Sequence, residues 1–350
     1  MRTTEAMQDA RRAMDVCNAC RYCEGFCDVF PAMERRLEFS ESDIDYLANL
    51  CHNCAECYYA CQYAPPHEFA VNVPQVFAEI RAQSYRKYAW PKYLRISAWL
   101  AVAIGIFIAL LLAGGSSAPN ANFYGVISHE AMVVTFSVAG ACVFLAQIMG
   151  FWAFLRESGE SLPALFRLST LVPAAGRVLS LKNLDSHGAG CTYPDEHHSQ
   201  ARRYFHHFTF YGFLLCFAST TVAAIYHFTG RIAPHPYLSL PVVLGTLGGI
   251  GLLIGPVGLY WLKRRRDPAI VDAKQDGMDI SLLALLFLTS LTGLLLLILR
   301  ETPAMGTLLR IHLGIVLGLF LTLPYGKFVH GIYRSAALMR SVLETGRSKH

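Results

Sequence analysis

Four cysteines, Cys17, Cys20, Cys23 and Cys27, are followed at the same intervals by Cys51, Cys54, Cys57 and Cys61. Pro31 and Pro65 each stand four residues beyond the last cysteine of a run, so the repeat extends past the thiols. Three cysteines on a tight loop bring three thiolates to one small volume, and a distant fourth closes it, as a cubane iron–sulfur cluster requires. In two-cluster ferredoxins the fourth cysteine of each run serves the other cluster. The pattern predicts two [4Fe–4S] clusters, one held by Cys17, Cys20, Cys23 and Cys61 and its neighbour by Cys51, Cys54, Cys57 and Cys27. Zinc sites usually pair two CxxC units and leave a third cysteine at this spacing redundant. One departure from bacterial ferredoxins is that Asp28 and Gln62, not proline, directly follow the fourth cysteines.

These eight of the eleven cysteines lie in a polar segment, residues 1–92. The N-terminus has no apolar core of a signal peptide, so disulfides of a secreted domain are not expected. A thiol-rich cytoplasmic segment points to metal or cluster binding instead. The formal net charge is +5, and the basic residues cluster in particular loops. The cysteine-rich region is not basic enough for a nucleic-acid surface.

After residue 92 the chain turns apolar. Six runs are long enough to cross a bilayer, which takes about 20 helical residues: 94–113, 126–155, 204–228, 238–262, 280–299 and 308–333. Arg81, Arg86, Lys87, Lys92 and Arg95 precede the first run, several basic residues lie within 156–203, and Lys263 to Arg266 follow the fourth. Arg334, Arg340, Arg347 and Lys349 follow the sixth, whereas the opposite loops hold only Arg231, Arg300 and Arg310. By the positive-inside rule both termini are cytoplasmic. The expected fold is mainly α: a small ferredoxin-like helical domain at 1–92 with two [4Fe–4S] clusters, then a six-helix transmembrane bundle at 93–350 that includes the cytoplasmic loop 156–203. The GTLGGIG run at 245–251 lies inside a span, so it is read as close helix packing and not as a nucleotide loop.

Histidine inside a membrane span is costly and is usually functional. His312 and His330 fall at opposite ends of the sixth run, 18 residues apart. On one helix that spacing is about five turns and roughly 27 Å, which puts both on one face. His206, His207 and His227 lie at the two ends of the third run, and His129 opens the second. The bundle could therefore carry one or two b-type haems. An inner haem would use His330 with His206 or His207, and an outer one His312 with His227 or His129. Phase around the helix favours His206 over His207 as the residue sharing a face with His227. Cys142 and Cys216 are read as apolar packing residues, and Cys191, near His187, His197 and His198, as part of a solvated loop.

The segments VCNACRYCEGFCDVFPAMERR, LANLCHNCAECYYACQYAPPHEFAVNVP, RRYFHHFTFYGFLLCFAST and TLPYGKFVHGIYR closely resemble the tricarballylate utilization protein B family, also called CitB. The resemblance covers nearly the whole chain. It implies a bacterial inner-membrane protein that reoxidises a soluble FAD-dependent tricarballylate dehydrogenase and passes electrons through clusters and haem to membrane quinone. No flavin or nicotinamide fingerprint occurs in a soluble segment, so the chain is expected to take its electrons from a partner and not to oxidise a substrate itself. A subunit of another flavin- or cluster-dependent dehydrogenase is the alternative. A transporter with a cluster-based sensor is disfavoured, because the spans lack midplane basic residues or broken helices and hold only Glu130 near one end.

Overall fold

The computed structural model describes residues 5–92, 97–113, 123–185 and 190–347. Among these residues the chain is helical, and the only β pairing is an isolated bridge between Cys191 and Ser199.

Five helices build the N-terminal region: α1 (Glu5–Cys20), α2 (Val29–Glu34), α3 (Glu41–Leu50), α4 (Glu56–Tyr59) and α5 (Val73–Lys87). Their starts are written into the sequence. Ser40 and Asp43 form a capping box on α3, and Asn72 caps α5, with Pro74 in its first turn. Each cysteine run begins where a helix ends. Cys17 and Cys20 close α1, and Cys51 is the residue after α3. Arg21 and Ala55, the residues after the second cysteine of each run, both take left-handed backbone, at φ 55° and 69°. The sequence repeat is thus also a backbone repeat, in a conformation non-glycine residues adopt mainly where the surroundings demand it.

The apolar region holds α6 (Ala98–Leu112), α7 (Phe123–Val126), α8 (His129–Glu157), α9 (Leu162–Leu165) and α10 (Leu168–Leu179). It continues with α11 (Ala201–Phe228), α12 (Leu240–Arg265), α13 (Asp276–Ile298), α14 (Met305–Thr322) and α15 (Val329–Arg347). Five helices among the described residues, α8 and α11 to α14, are long and apolar enough to cross a membrane. The first expected span is represented by the shorter apolar helix α6, and residues 94–96 of that run lie outside the described residues. The sixth is not one helix. It breaks between Thr322 and Val329, where Pro324 cannot donate a backbone hydrogen bond and Gly326 closes a turn onto the Thr322 carbonyl at 2.8 Å. The shared-face argument for His312 and His330 on one continuous helix therefore does not hold.

The glycine run does pack helix against helix. A Cβ at Gly248 would come within 2.8 Å of the Gly212 carbonyl, so α11 and α12 approach closer than larger side chains would allow. In contrast, the central windows of α8 and α11 are only 6% buried within the chain, which leaves apolar faces suited to lipid or to a bound group.

Helix α15 does not continue into the bilayer but folds onto the cysteine domain. Val329, Tyr333, Ala336 and Ala337 join one core with Met14, Phe30, Leu47 and Phe77. Arg36 pairs with Glu344 at 2.6 Å and with Asp43 at 2.7 Å, while Arg340 bonds both carboxylates. Tyr46 donates to Glu344 at 3.2 Å. On the other side Asp45, buried on α3, takes Lys87 and the Tyr88 hydroxyl, and the same hydroxyl donates to Glu157 at the end of α8. One polar network thus fastens the cysteine domain to α15 and the other to the end of α8.

Candidate iron–sulfur and histidine sites

The eight cysteines converge on two adjacent places. Cys17, Cys20, Cys23 and Cys61 line a cavity of about 280 Å³, closed further by Val16, Phe30 and Val73. Cys27, Cys51 and Cys54 line a second, much smaller recess of about 10 Å³. Cys57 borders both. No disulfide joins any of these thiols.

Their electrostatics follow the same division. Burial pushes the Cys17 thiol up to about 12, and its neighbours Cys23, Cys61 and Cys20 add to the effect. Burial also pushes Cys23 up to about 12, with Cys61 and Cys20 the next causes. Cys27 is raised by burial, then by Cys54 and Cys51. Cys57 is raised by burial, then by Cys54, Cys51 and Cys27. Each group therefore gathers three thiols of one run with the fourth of the other. Four thiolates so close repel one another in a dry site, and bound iron is what would offset that repulsion and displace their protons. The donor set fits a cubane in both places.

The two places differ in surroundings. The first faces outward. Tyr22, 68% exposed, stands on its rim, and the segment after Cys61 covers it: Tyr63 packs on His67 and Phe69 with ring centroids 5.2 and 5.7 Å away. The second faces the membrane helices. Arg334 on α15 donates to the Cys51 carbonyl at 2.6 Å, and Arg202 on α11 to the Asn53 carbonyl at 2.7 Å. Arg81 reaches the Ala48 and Cys51 carbonyls, and Asn53 donates to the Ile270 carbonyl at 3.3 Å. The Asn53 amide points at Cys51 Sγ, 3.4 Å away, a donor of the kind that tunes cluster potentials.

Arg202 and Arg334 each stand one turn from a histidine of the inner pair. His206 and His330 face each other with ring centroids 6.1 Å apart. Two imidazoles bonded to one metal at roughly 2 Å each, from opposite sides, would have their centroids about 6 Å apart. His330 donates from Nδ1 to the Lys327 carbonyl at 2.5 Å, which leaves Nε2 for a metal. His206 Nδ1 is buried without a hydrogen-bond partner. At that separation the two rings would be able to hold one metal between them. His207 turns aside, half-buried against Tyr211. At the other end His129 and His227 stack face to face, centroids 3.5 Å apart and planes 16° from parallel. His312 hydrogen bonds Thr292 at 3.0 Å and lies against Gly293 on α13.

A family model described as the citrate utilization protein B Fer4-like domain matches residues 10–87, and one described as citrate utilization protein B matches residues 94–350. The chain belongs to the citrate utilization protein B family. The Escherichia coli citrate utilization protein B is 48% identical to it, over 99% of this chain and 94% of the relative. No solved structure matches. The family's Fer4-like domain coincides with the helices that carry the clustered cysteines.

Two features escape a reading of the sequence. Cys191 is not in a solvated loop: it is 0% exposed and lies against Cys54. Its neighbours are not the nearby histidines. His197 is exposed beside Asp195, His198 faces Glu56, and His187 lies outside the described residues. The buried partner is His52, a residue inside the second cysteine run. Of the two cysteines read as packing residues, Cys216 on α11 does pack against Gly248, whereas Cys142 is exposed on α8.

Proposed function

We propose that this chain is the membrane electron carrier of a dehydrogenase system. It would accept electrons from a soluble FAD-dependent dehydrogenase of the tricarballylate type and deliver them to membrane quinone. Cys17, Cys20, Cys23 and Cys61 would hold one [4Fe–4S] cluster, Cys51, Cys54, Cys57 and Cys27 a second, and His206 with His330 a b-type haem. Such groups, when bound, take up and release single electrons, which suits them to divide the two electrons of a reduced flavin.

The observation that carries this reading is the continuity of the three sites. Cys57 borders both thiol groups, and Arg334 links the second group to the helix that bears His330. The protein's own residues do the positioning. Left-handed turns at Arg21 and Ala55 aim the cysteines inward, and apolar walls at Val16, Phe30 and Val73 exclude water. Lys327 fixes the His330 ring through its carbonyl. The exposed rim at Tyr22 is where a soluble partner would dock, and the charge bias of the loops supports a cytoplasmic side for that rim. The name of the relative, citrate utilization protein B, agrees with a carboxylic-acid dehydrogenase as the source of electrons.

The test is co-purification followed by turnover. The tagged chain should retain a flavoprotein, and membranes containing it should reoxidise that reduced flavoprotein only when quinone is present. Flavin reoxidation that is independent of this chain would refute the proposal. A different co-purifying dehydrogenase would redirect it to the subunit reading.

A further inference from the structure

One corner of the second thiol site has more donors than a cubane corner can use. Cys54 Sγ, Cys191 Sγ and a ring nitrogen of His52 lie within 4.8 Å of one another, all three residues buried. Cys54 and Cys191 share an apolar cluster with Ala55, Leu184, Leu262 and Ile270, with the charges of Arg202, Glu56 and Asp185 nearby.

Cys191 is held there by built contacts. Gly190 sits at φ +89°, where a Cβ would come within 2.5 Å of the Ser199 backbone, so the turn that delivers Cys191 accepts only glycine. Ser199 donates its amide to the Cys191 carbonyl at 2.9 Å. Thr192 donates its hydroxyl to the Cys54 carbonyl at 3.2 Å, and Tyr193 lies under the Arg202 guanidinium. The loop is therefore fastened to the cysteine run itself.

Both extra donors are turned onto Cys54. The Cys191 thiol hydrogen bonds the Cys54 thiol and contacts the Leu184 carbonyl at 3.5 Å, His52 also bonds Cys54, and His52 Nδ1 is buried with no hydrogen-bond partner although His52 is only 3% exposed. A buried imidazole nitrogen left unpaired is expensive unless it serves a chemical purpose. A thiol and an imidazole meeting at one cluster ligand supply such a purpose.

We infer that Cys191 is a reserve ligand of the second cluster, able to hold the iron at the Cys54 corner in place of Cys54. This rests on the reading that Cys51, Cys54, Cys57 and Cys27 hold a cluster. In the exchange the iron–Sγ bond to Cys54 breaks and one to Cys191 forms. The proton leaving the Cys191 thiol ends on Cys54, with His52 beside both sulfurs to carry it, and no electron is transferred. The cytoplasmic loop of the membrane region thereby becomes part of the cluster site.

The experiment compares the full-length wild type with Cys54→Ala, Cys191→Ala and the double variant, all purified anaerobically. Iron and acid-labile sulfide per chain are measured alongside the EPR spectrum after reduction. Wild type and Cys191→Ala should each contain two cubanes. Cys54→Ala should keep both, with an altered signal from the second, and the double variant should keep only the first. If Cys54→Ala is already as depleted as the double variant, the inference falls. If the wild type lacks a second cluster, the underlying reading falls instead. The first cluster's signal reports folding, and if Cys54→Ala loses it, Cys54→Val, which also offers no ligand atom, carries the same comparison.

Discussion

The runs Cys17–Cys27 and Cys51–Cys61 share their spacing and their left-handed turn, yet the two thiol sites they build together have different neighbours. The first site is a cavity with the exposed Tyr22 on its rim. The second is pinned by Arg81, Arg202 and Arg334, and shared with the loop that carries Thr192. Two copies of one motif have been given different neighbours: one can meet a soluble partner, and the other meets only this chain. Direction in such a relay comes from the surroundings of the sites and not from the motif, because potentials follow hydrogen bonding and solvent exposure.

The most severe way to break that comparison is to remove a fourth ligand. Cys27→Ser should lose the second cluster's EPR signal and keep the first, although Cys27 belongs to the first run. Cys61→Ser should do the reverse. Loss of the cluster in the same run would show that the fourth ligands do not cross.

Next in size, His206→Ala or His330→Ala should abolish b-type haem absorption, whereas His207→Ala should retain it. Optical spectra of the reduced protein decide this. Loss in His207→Ala with retention in His206→Ala would mean that the half-buried ring against Tyr211 is the true ligand.

A smaller effect is expected at the clamp. Arg36 and Glu344 are each only 9% exposed, and removing one partner of a buried pair costs roughly 3–5 kcal/mol. Arg36→Ala should lower the thermal midpoint and release the second cluster before the first, because α15 also carries Arg334. Simultaneous release would detach the clamp from the second site.

The smallest effect concerns pH. Burial raises the Asp43 carboxyl, but Ser40, Arg36 and Arg340 outweigh it and hold the group below its ordinary value. Its contribution is therefore complete above the unfolded value of about 3.9 and is lost as pH falls through the lower folded value. The midpoint difference between wild type and Asp43→Asn should be full at neutral pH and should shrink as pH falls below the ordinary carboxylate range. A constant difference would contradict this.

The convergence of the eight cysteines on two places was legible beforehand because thiols recurring at fixed spacing on tight turns come together in space. The apolar spans were legible for the same kind of reason, since lipid demands long uninterrupted hydrophobic helices. The break after Thr322 was signalled by Pro324 and Gly326, but hydropathy averages across such residues and runs α14 into α15. Helix α15 reads as a charged tail until Arg340 and Glu344, one turn apart, are seen to face Arg36 and Asp43. The place of Cys191 had no local signal. Its burial is fixed by Cys54 and His52, well over a hundred residues away, and only Gly190 marked the turn.

The central claim is most directly tested by reducing the purified full-length protein with dithionite and recording EPR and optical spectra on one sample. The account predicts two [4Fe–4S] signals that interact magnetically, as clusters in adjacent sites should, together with b-type haem absorption. Stoichiometric zinc in place of iron, or the absence of both iron–sulfur and haem signals, would contradict it.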